Sequence, residues 1–552
     1  MLKCAIIGSG PTAIYTLKHL LDSVEKYFDL TVFEKATVPG KGTPYGSEGC
    51  SLHDLSNSSS LEIPSICQSL EAWLISRSDV QLQNFNIKRD KISDQSFYPR
   101  FILGDYFADQ LSQLVARGNK TGHNIQVKAS TQVYDLEVLP EGIRISYIQD
   151  NKEQHSFFSK VAIATGHAWP QETSRTLNYY LSPWPISKLD GIKPGTIGIL
   201  GSSLTAIEIA INLALKHGRF ERIAKGVVQY QVAEHSKDLH LTLFSRKGIL
   251  PEADFYVSDP YISLDVFKES KIYALCAKAE TEANFPLLEN LFTLFKAEIT
   301  LNDPDYARSM NLEQLTIEEF HAQYFKERIQ GNVFTHAKED LTKARQTYQT
   351  QQTIPWRFAI LRMNDLFDFA CPYFSAEELQ CFNQSLRLIL MDNYSCVPHK
   401  SMEKIIALHE VGILDVLTVG DDYTLSPHSD NGGAFLKLEN GEVREFQTFI
   451  DATGQPTLGA TNFPFKTLLS QGKIKDALVA YATQDISDRD IRQIQPEEDG
   501  IEVRLNCAAL PFLLELKPLI QAITTANKLG ETIAMDFISY YSANTVKLDQ
   551  ER

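Results

Sequence analysis

Short apolar runs alternate with helical stripes over the first third of the chain. Cys4–Ile7 is an apolar β run, Ile14, Leu17, Leu20 and Leu21 share one helical face, and Leu30–Phe33 is a second strand. Between the first strand and the helix stand Gly8-Ser9-Gly10-Pro11-Thr12-Ala13, which fit G-x-G-x-x-G/A. Glu34 follows the second strand, 24 residues after Gly10. This order is that of a dinucleotide-binding βαβ unit. Gly8 permits the tight turn, Gly10 admits the pyrophosphate to the backbone, and Ala13 keeps helix close to sheet. Pro11 and Thr12 open the helix, whose N–H groups face the phosphates. Glu34 is positioned to accept the ribose hydroxyls.

Residues 125–163 alternate apolar and polar positions (IQVKA, VYDLEVL, IRISYI, FFSKVAIATG) and predict a β-meander running into a buried strand, Val161–Ala164. That strand ends at Thr165-Gly166, and His167 follows as a hinge residue. Thr196–Leu200 begins the same design again: a strand, a turn at Gly201-Ser202-Ser203, and a helix packed through Ile207, Ile209, Ala210 and Leu213. Ser203 takes the place of the second glycine, losing room but adding a hydroxyl donor. The next strand lies in LHLTLFSRKG, residues 239–248, and ends in Ser245-Arg246-Lys247 instead of an acid. Two cations and a hydroxyl there suit a 2′-phosphate, which favours NADPH over NADH.

Residues 252–390 break into this second unit with helical periodicity. Leu287, Leu288, Leu291, Phe292, Leu294 and Phe295 form one broad face, and Thr316/Glu319 and Ser375/Glu378 read as capping boxes, with Phe374 and Leu379 as a hydrophobic staple. The insertion reads equally as a lid or substrate domain and as a dimer interface or structural buttress. The chain returns through LDVLTV (414–419) and FQTFIDATGQP (446–456), a second strand ending in Ala-Thr-Gly, at Gly454.

Composition narrows the partners. A formal charge of −16 over 552 residues disfavours nucleic acid and anionic membrane surfaces. The late apolar stretch ALPFLLELKPLIQAITTA is interrupted by Glu515, Lys517 and Pro518, which argues against a membrane span. Eight scattered cysteines contain no C-x-x-C pair, so neither a zinc knuckle nor a redox dithiol is expected. With no signal-like start and scattered, reduced cysteines, a cytoplasmic protein is expected. The 13 histidines offer no H-x-x-x-H or H-E-x-x-H run, and no metal site is expected.

The loops GKGTPYG (40–46), LSNSSSLEIP (55–64) and FYPRFILGDYF (97–107) add a resemblance to the N-terminal fingerprint. Together they resemble the FAD/NAD(P)-binding flavoprotein family, in its YdhS-type bacterial branch, and the match spans nearly the whole chain. The resemblance implies FAD at the first site, with Gly42, Pro44, Tyr45, Asn57 and Arg100 near the flavin or pyrophosphate. It departs at Asn506-Cys507-Ala508, where relatives carry Gly-Asp to hold the ribitol. The run Gly201-Ser-Ser-Leu-Thr-Ala-Ile-Glu208 also resembles G-x-G-x-S-A-x-E of N-hydroxylases, with Thr205 and Glu208 in the serine and acid positions.

The expected fold is α/β, with two Rossmann-like dinucleotide-binding domains, a β-meander and a large helical insertion. An FAD domain (1–175 with 456–552) would enclose an NAD(P) domain (190–251 with 391–455) carrying the insertion (252–390). The expected activity is an FAD-dependent oxidoreductase passing hydride from NAD(P)H to flavin and on to a small-molecule acceptor or oxygen. N-hydroxylation by a flavin monooxygenase and a catalytically weak flavin-binding regulator are the alternatives.

Overall fold

A computed structural model describes residues 3–23, 27–168, 176–224, 226–428, 432–459, 462–472, 492–493, 505–514, 517–519 and 523–550. The chain forms two compact units, one of residues 1–52, 58–170 and 455–552, the other of 53–57 and 171–454.

The first unit is built on a parallel sheet. Strand β1 (Lys3–Ile7) lies between β2 (Asp29–Phe33) and β7 (Lys160–Ile163). The sheet continues outward through β3 (Asn124–Lys128) on one side and Leu505–Cys507 on the other. Buried strands of this kind read as continuous apolar runs, which is why KCAII and KVAI are legible. The helix Pro11–Ser23 buries Ile14, Leu17 and Leu20 on one face of the sheet. It packs along the helix Ile523–Gln550, where Gly530 allows close approach: a Cβ there would lie 2.6 Å from the Tyr15 side chain.

The meander is narrower than the alternation suggests. Strands β4 (Thr131–Leu139), β5 (Gly142–Gln149) and β6 (Lys152–Phe158) make an antiparallel sheet of three, whereas β3 joins the parallel sheet. The IQVKA segment has too few residues for its alternation to separate these outcomes. Its pairing with β2 decides.

The second unit repeats the parallel design. Its strands are β8 (Tyr179–Tyr180), β9 (Thr196–Leu200), a β10–β11 hairpin (Gly218–Ala224, Val227–Val232), β12 (His240–Ser245) and β13 (Leu414–Thr418). After a small antiparallel sheet of β14 (Thr424–Pro427), β15 (Ala434–Lys437) and β16 (Val443–Phe446) comes β17 (Thr448–Asp451). The main sheet runs β13-β12-β9-β17-β8. The helix Leu204–His217 covers it with Ile207, Ile209, Ala210 and Leu213 buried.

Between β12 and β13 stands the helical insertion. Both capping boxes form, Thr316 with Glu319 and Ser375 with Glu378. Phe374 packs its ring on Phe382, one turn beyond the expected staple partner Leu379. Trp356 stacks on Tyr306 at 4.2 Å, and Arg357 lies buried over Phe255, so both side chains pack within the insertion.

Candidate functional site

The first site is a turn that no larger residue could make. Gly8 has φ +96°, and a Cβ on it would lie 2.3 Å from the carbonyl oxygen of Ala164. The turn is thereby pressed against the end of β7, beside Thr165 and Gly166. Gly10 and Gly42 face each other less tightly: a Cβ on Gly10 would stand 3.2 Å from the Gly42 Cα. Gly42 has φ +68° and also approaches Pro11. Two glycines facing one another at a helix start form the sort of backbone cradle a pyrophosphate needs.

Glu34 sits at the rim of this cradle. Its Oε2 accepts from the Ser9 N–H (3.0 Å) and hydroxyl (2.6 Å), and its Oε1 accepts from the Ala36 N–H (2.8 Å). The Ser9 hydroxyl oxygen also accepts from the Gly40 N–H. The carboxylate therefore fixes the turn, and Oε1, with a single hydrogen bond, keeps capacity for a ribose hydroxyl. The residues fit an adenine dinucleotide.

Tyr45 packs its ring on Phe107, and its carbonyl oxygen lies 2.3 Å from where a Cβ on Gly104 would be. Arg100 begins the helix Arg100–Lys120, and its charge bears on both Tyr45 and His167. Asn57 falls in the 53–57 segment, which belongs to the second unit. The structure thus gathers Gly8, Gly10, Pro11, Thr12, Ala13, Glu34, Gly42, Tyr45, Arg100, Thr165 and Gly166 in one unit, and places Asn57 in the other.

His167 is more constrained than a hinge residue needs to be. Burial, with the nearby Arg100 charge, lowers its pKa to about 4. Gln455 Oε1 accepts from the Ala168 N–H at 3.0 Å, and Gln455 Nε2 donates to the Ala168 and Pro456 carbonyls. The backbone thereby sets the amide orientation, so the 3.3 Å contact of Oε1 with His167 Nδ1 requires the proton on Nδ1. Only the long separation of 167 and 455 hides this pairing from the sequence.

Asn506 occupies the place of the Gly-Asp pair. It is fully buried, pairs with Ala162 across the sheet, and its two amide atoms have no hydrogen-bond partner among the described residues.

The second site repeats the first. Gly201 has φ +117°, and a Cβ on it would lie 3.0 Å from the carbonyl oxygen of Ala452, the residue before Thr453-Gly454. Ser203 is the N-cap of the following helix with φ −97°, an ordinary value for serine, and its side chain caps no N–H group. Serine therefore costs no backbone strain here, and the helix start is left for an anion. Thr205 is half-buried in the first turn; Glu208 is buried among the packed residues of the same helix.

Ser245, Arg246 and Lys247 diverge. The Ser202 hydroxyl donates to the Ser245 hydroxyl oxygen at 2.9 Å, tying the strand end to the turn. Arg246 is 65% exposed and 3.7 Å from Asp421. Lys247 instead turns into the insertion, donating to His321 Nε2 (2.9 Å) and lying 3.6 Å from the Phe325 ring centroid. Burial brings its pKa down to about 8. Among the described residues no three metal-ligating side chains cluster, all eight cysteines are free, and no helix is long and apolar enough to cross a membrane.

Residues 5–168 match a family model described as FAD-NAD(P)-binding, and residues 271–394 match one described as the YdhS-like middle domain. The uncharacterized protein YdhS of Escherichia coli (strain K12) is 34% identical over 540 residues, 97% of each chain. The chain belongs to the YdhS family of FAD/NAD(P)-binding proteins. Among solved structures, an ornithine N-hydroxylase of Kutzneria sp. 744 aligns over 98% of this chain and all of its own, at 11% identity and TM-score 0.49. Lactococcus lactis thioredoxin reductase aligns over 98% and 99%, at 9% identity and TM-score 0.40. Neither likeness is close enough to speak to the reaction.

Proposed function

We propose that this member of the YdhS family is an FAD-dependent oxidoreductase that takes hydride from NAD(P)H, with NADPH preferred, and passes electrons to a small-molecule acceptor or oxygen. One observation carries the reading: the chain builds the same strand-ending glycine turn twice. Gly8 against the Ala164 carbonyl and Gly201 against the Ala452 carbonyl are equivalent contacts, each between a strand-ending glycine turn and an Ala-Thr-Gly exit. A protein that only stored a flavin would have no use for the second.

Bound in the first cradle, FAD would supply two-electron chemistry, with the nicotinamide as hydride source. The chain's own part is binding and orientation. Gly10, Gly42 and the start of the helix Pro11–Ser23 receive the pyrophosphate, Glu34 takes a ribose hydroxyl, and Arg100 adds a compensating charge. At the second cradle the uncapped helix at Ser203 receives the nicotinamide dinucleotide's phosphates, and Arg246 a 2′-phosphate.

The test is an anaerobic titration of the flavin-loaded protein with NADH and NADPH, following the visible flavin absorbance. Bleaching by NADPH at lower concentration than by NADH is expected. A protein that holds FAD but is bleached by neither would be a flavin carrier.

A further inference from the structure

We propose that Lys247 is shared between the helical insertion and the nucleotide: released from His321 and Phe325, its ammonium binds the 2′-phosphate of NADPH beside Arg246. The insertion thereby competes with the phosphate and sets how strongly NADPH is preferred. The inference rests on the NAD(P)H reading above and extends it to two insertion residues, His321 and Phe325, as determinants of cofactor choice.

The backbone at the end of β12 is fixed. The Ser202 hydroxyl of the glycine turn and the Gly248 N–H both donate to the Ser245 hydroxyl oxygen. Just past β13, the Val419 and Gly420 N–H groups donate to the Ser245 and Arg246 carbonyls at 3.0 and 3.2 Å. These residues are therefore pinned at the strand end where doubly wound folds distinguish a 2′-hydroxyl from a 2′-phosphate. A change of partner there is a side-chain event.

Both partners of Lys247 are neutral groups of the insertion. Its Nζ donates to His321 Nε2 at 2.9 Å and lies 3.6 Å from the Phe325 ring centroid. Among the described residues no carboxylate forms an ion pair with it. The side chain is half-buried, and its four-carbon stem is flexible, so the clasp can open without moving the strand. Arg246 is held as weakly, by an exposed Asp421 at 3.7 Å. A charge-assisted hydrogen bond to phosphate is roughly twice as strong as a neutral one. A 2′-phosphate at this strand end therefore draws on both cations, at the cost of one neutral clasp.

The test titrates the flavin-loaded full chain calorimetrically with NADP+ and NAD+, which differ only in the 2′-phosphate. Lys247→Met should weaken NADP+ binding about three- to thirtyfold, a charged hydrogen bond less the clasp given up for it. His321→Ala removes a competitor and should tighten NADP+ about two- to tenfold. His321→Gln, which keeps an acceptor for the ammonium, should match wild type. NAD+ affinity should stay within about twofold throughout. The His321 ring resonance, identified by its loss in His321→Gln, should move on adding NADP+ but not NAD+, and should stay in place in Lys247→Met. Unchanged NADP+ affinity in Lys247→Met would overturn the proposal, as would a wild-type His321 resonance that does not respond to NADP+. Equal loss of both nucleotides in Lys247→Met would also overturn it, making Lys247 a support of the fold. Wild type binding neither nucleotide would overturn the NAD(P)H reading itself, a result distinct from all of these.

Discussion

Lys247 Nζ stands 2.9 Å from His321 Nε2, joining the end of β12 to a helix 74 residues further along the chain. The ammonium donates, so His321 is neutral with its proton on Nδ1, and burial together with the Lys247 charge lowers its pKa to about 4. An unfolded chain would protonate this histidine near 6.5, its ordinary value. Between about pH 6.5 and 4 the unfolded state binds the extra proton, so stability falls as pH falls through that window. His321→Gln, which keeps an acceptor for Lys247 and cannot titrate, should lose less stability than wild type between pH 7 and pH 4.5. Urea unfolding at both values measures the difference; parallel losses would show that His321 does not govern acid sensitivity.

The two glycine turns should fail to different degrees. Both turns hold an L-residue only under strain, at φ +96° and +117°, but a Cβ on Gly8 meets backbone oxygen at 2.3 Å and one on Gly201 at 3.0 Å. Gly8→Ala should therefore cost more than the roughly 1–3 kcal/mol of backbone strain alone and abolish FAD retention. Gly201→Ala should keep its FAD and lose NAD(P)H-dependent bleaching. Flavin content and anaerobic reduction of the two purified variants separate these outcomes. Equal flavin loss in both would contradict the assignment of one nucleotide to each turn.

Much of this was legible in the chain because buried parallel strands and the turns between them leave local signatures. KCAII-GSGPTA and TIGIL-GSSLTA each hold strand, turn and helix within a dozen residues. The β10–β11 hairpin, absent from the sequence reading, has no such signature. Its apolar face, Phe220 with Val228, Tyr230 and Val232, is shared between two short strands that are otherwise largely exposed, so neither run stands out alone. The fate of Lys247 was hidden for another reason. Beside Arg246 it looks like a second phosphate ligand, and only the fold shows that Phe325 and His321 take it.

Asp340 and Glu252 offer a second titration. Burial and the neighbouring Glu252 carboxylate raise Asp340 from an ordinary 3.8 to about 8, so it carries a proton at neutral pH and donates it to Glu252. The Ala253 N–H donates to its other oxygen at 2.5 Å. A folded pKa above the unfolded one means that stability is lost as pH rises from about 4 to 8. Asparagine keeps both hydrogen bonds and cannot ionise. Asp340→Asn should thus be closest to wild type near pH 4 and progressively more stable than it towards pH 8, by chemical denaturation. A constant difference across that range would mean that Asp340 does not hold the proton.

Arg246 and Asp421 should shift cofactor preference in opposite directions. If Arg246 takes the 2′-phosphate, Arg246→Ala removes a charged hydrogen bond worth about 1.5–3 kcal/mol, and NADPH affinity falls about ten- to a hundredfold. NADH has no phosphate to lose and should be nearly unaffected. Asp421, 3.7 Å from the guanidinium and 84% exposed, is the carboxylate the phosphate must displace. An exposed pair of this kind is worth about 0–1 kcal/mol, so Asp421→Asn should tighten NADPH by no more than about fivefold, and NADH hardly at all. Added salt should weaken NADPH binding more than NADH binding in wild type, and that difference should shrink in Arg246→Ala. Titrations of both nucleotides at low and high salt read all of these effects. Equal loss of NADH and NADPH in Arg246→Ala would assign the residue to the fold, and tighter NADH binding in Asp421→Asn would show that Asp421 repels the dinucleotide as a whole, without singling out the 2′-phosphate.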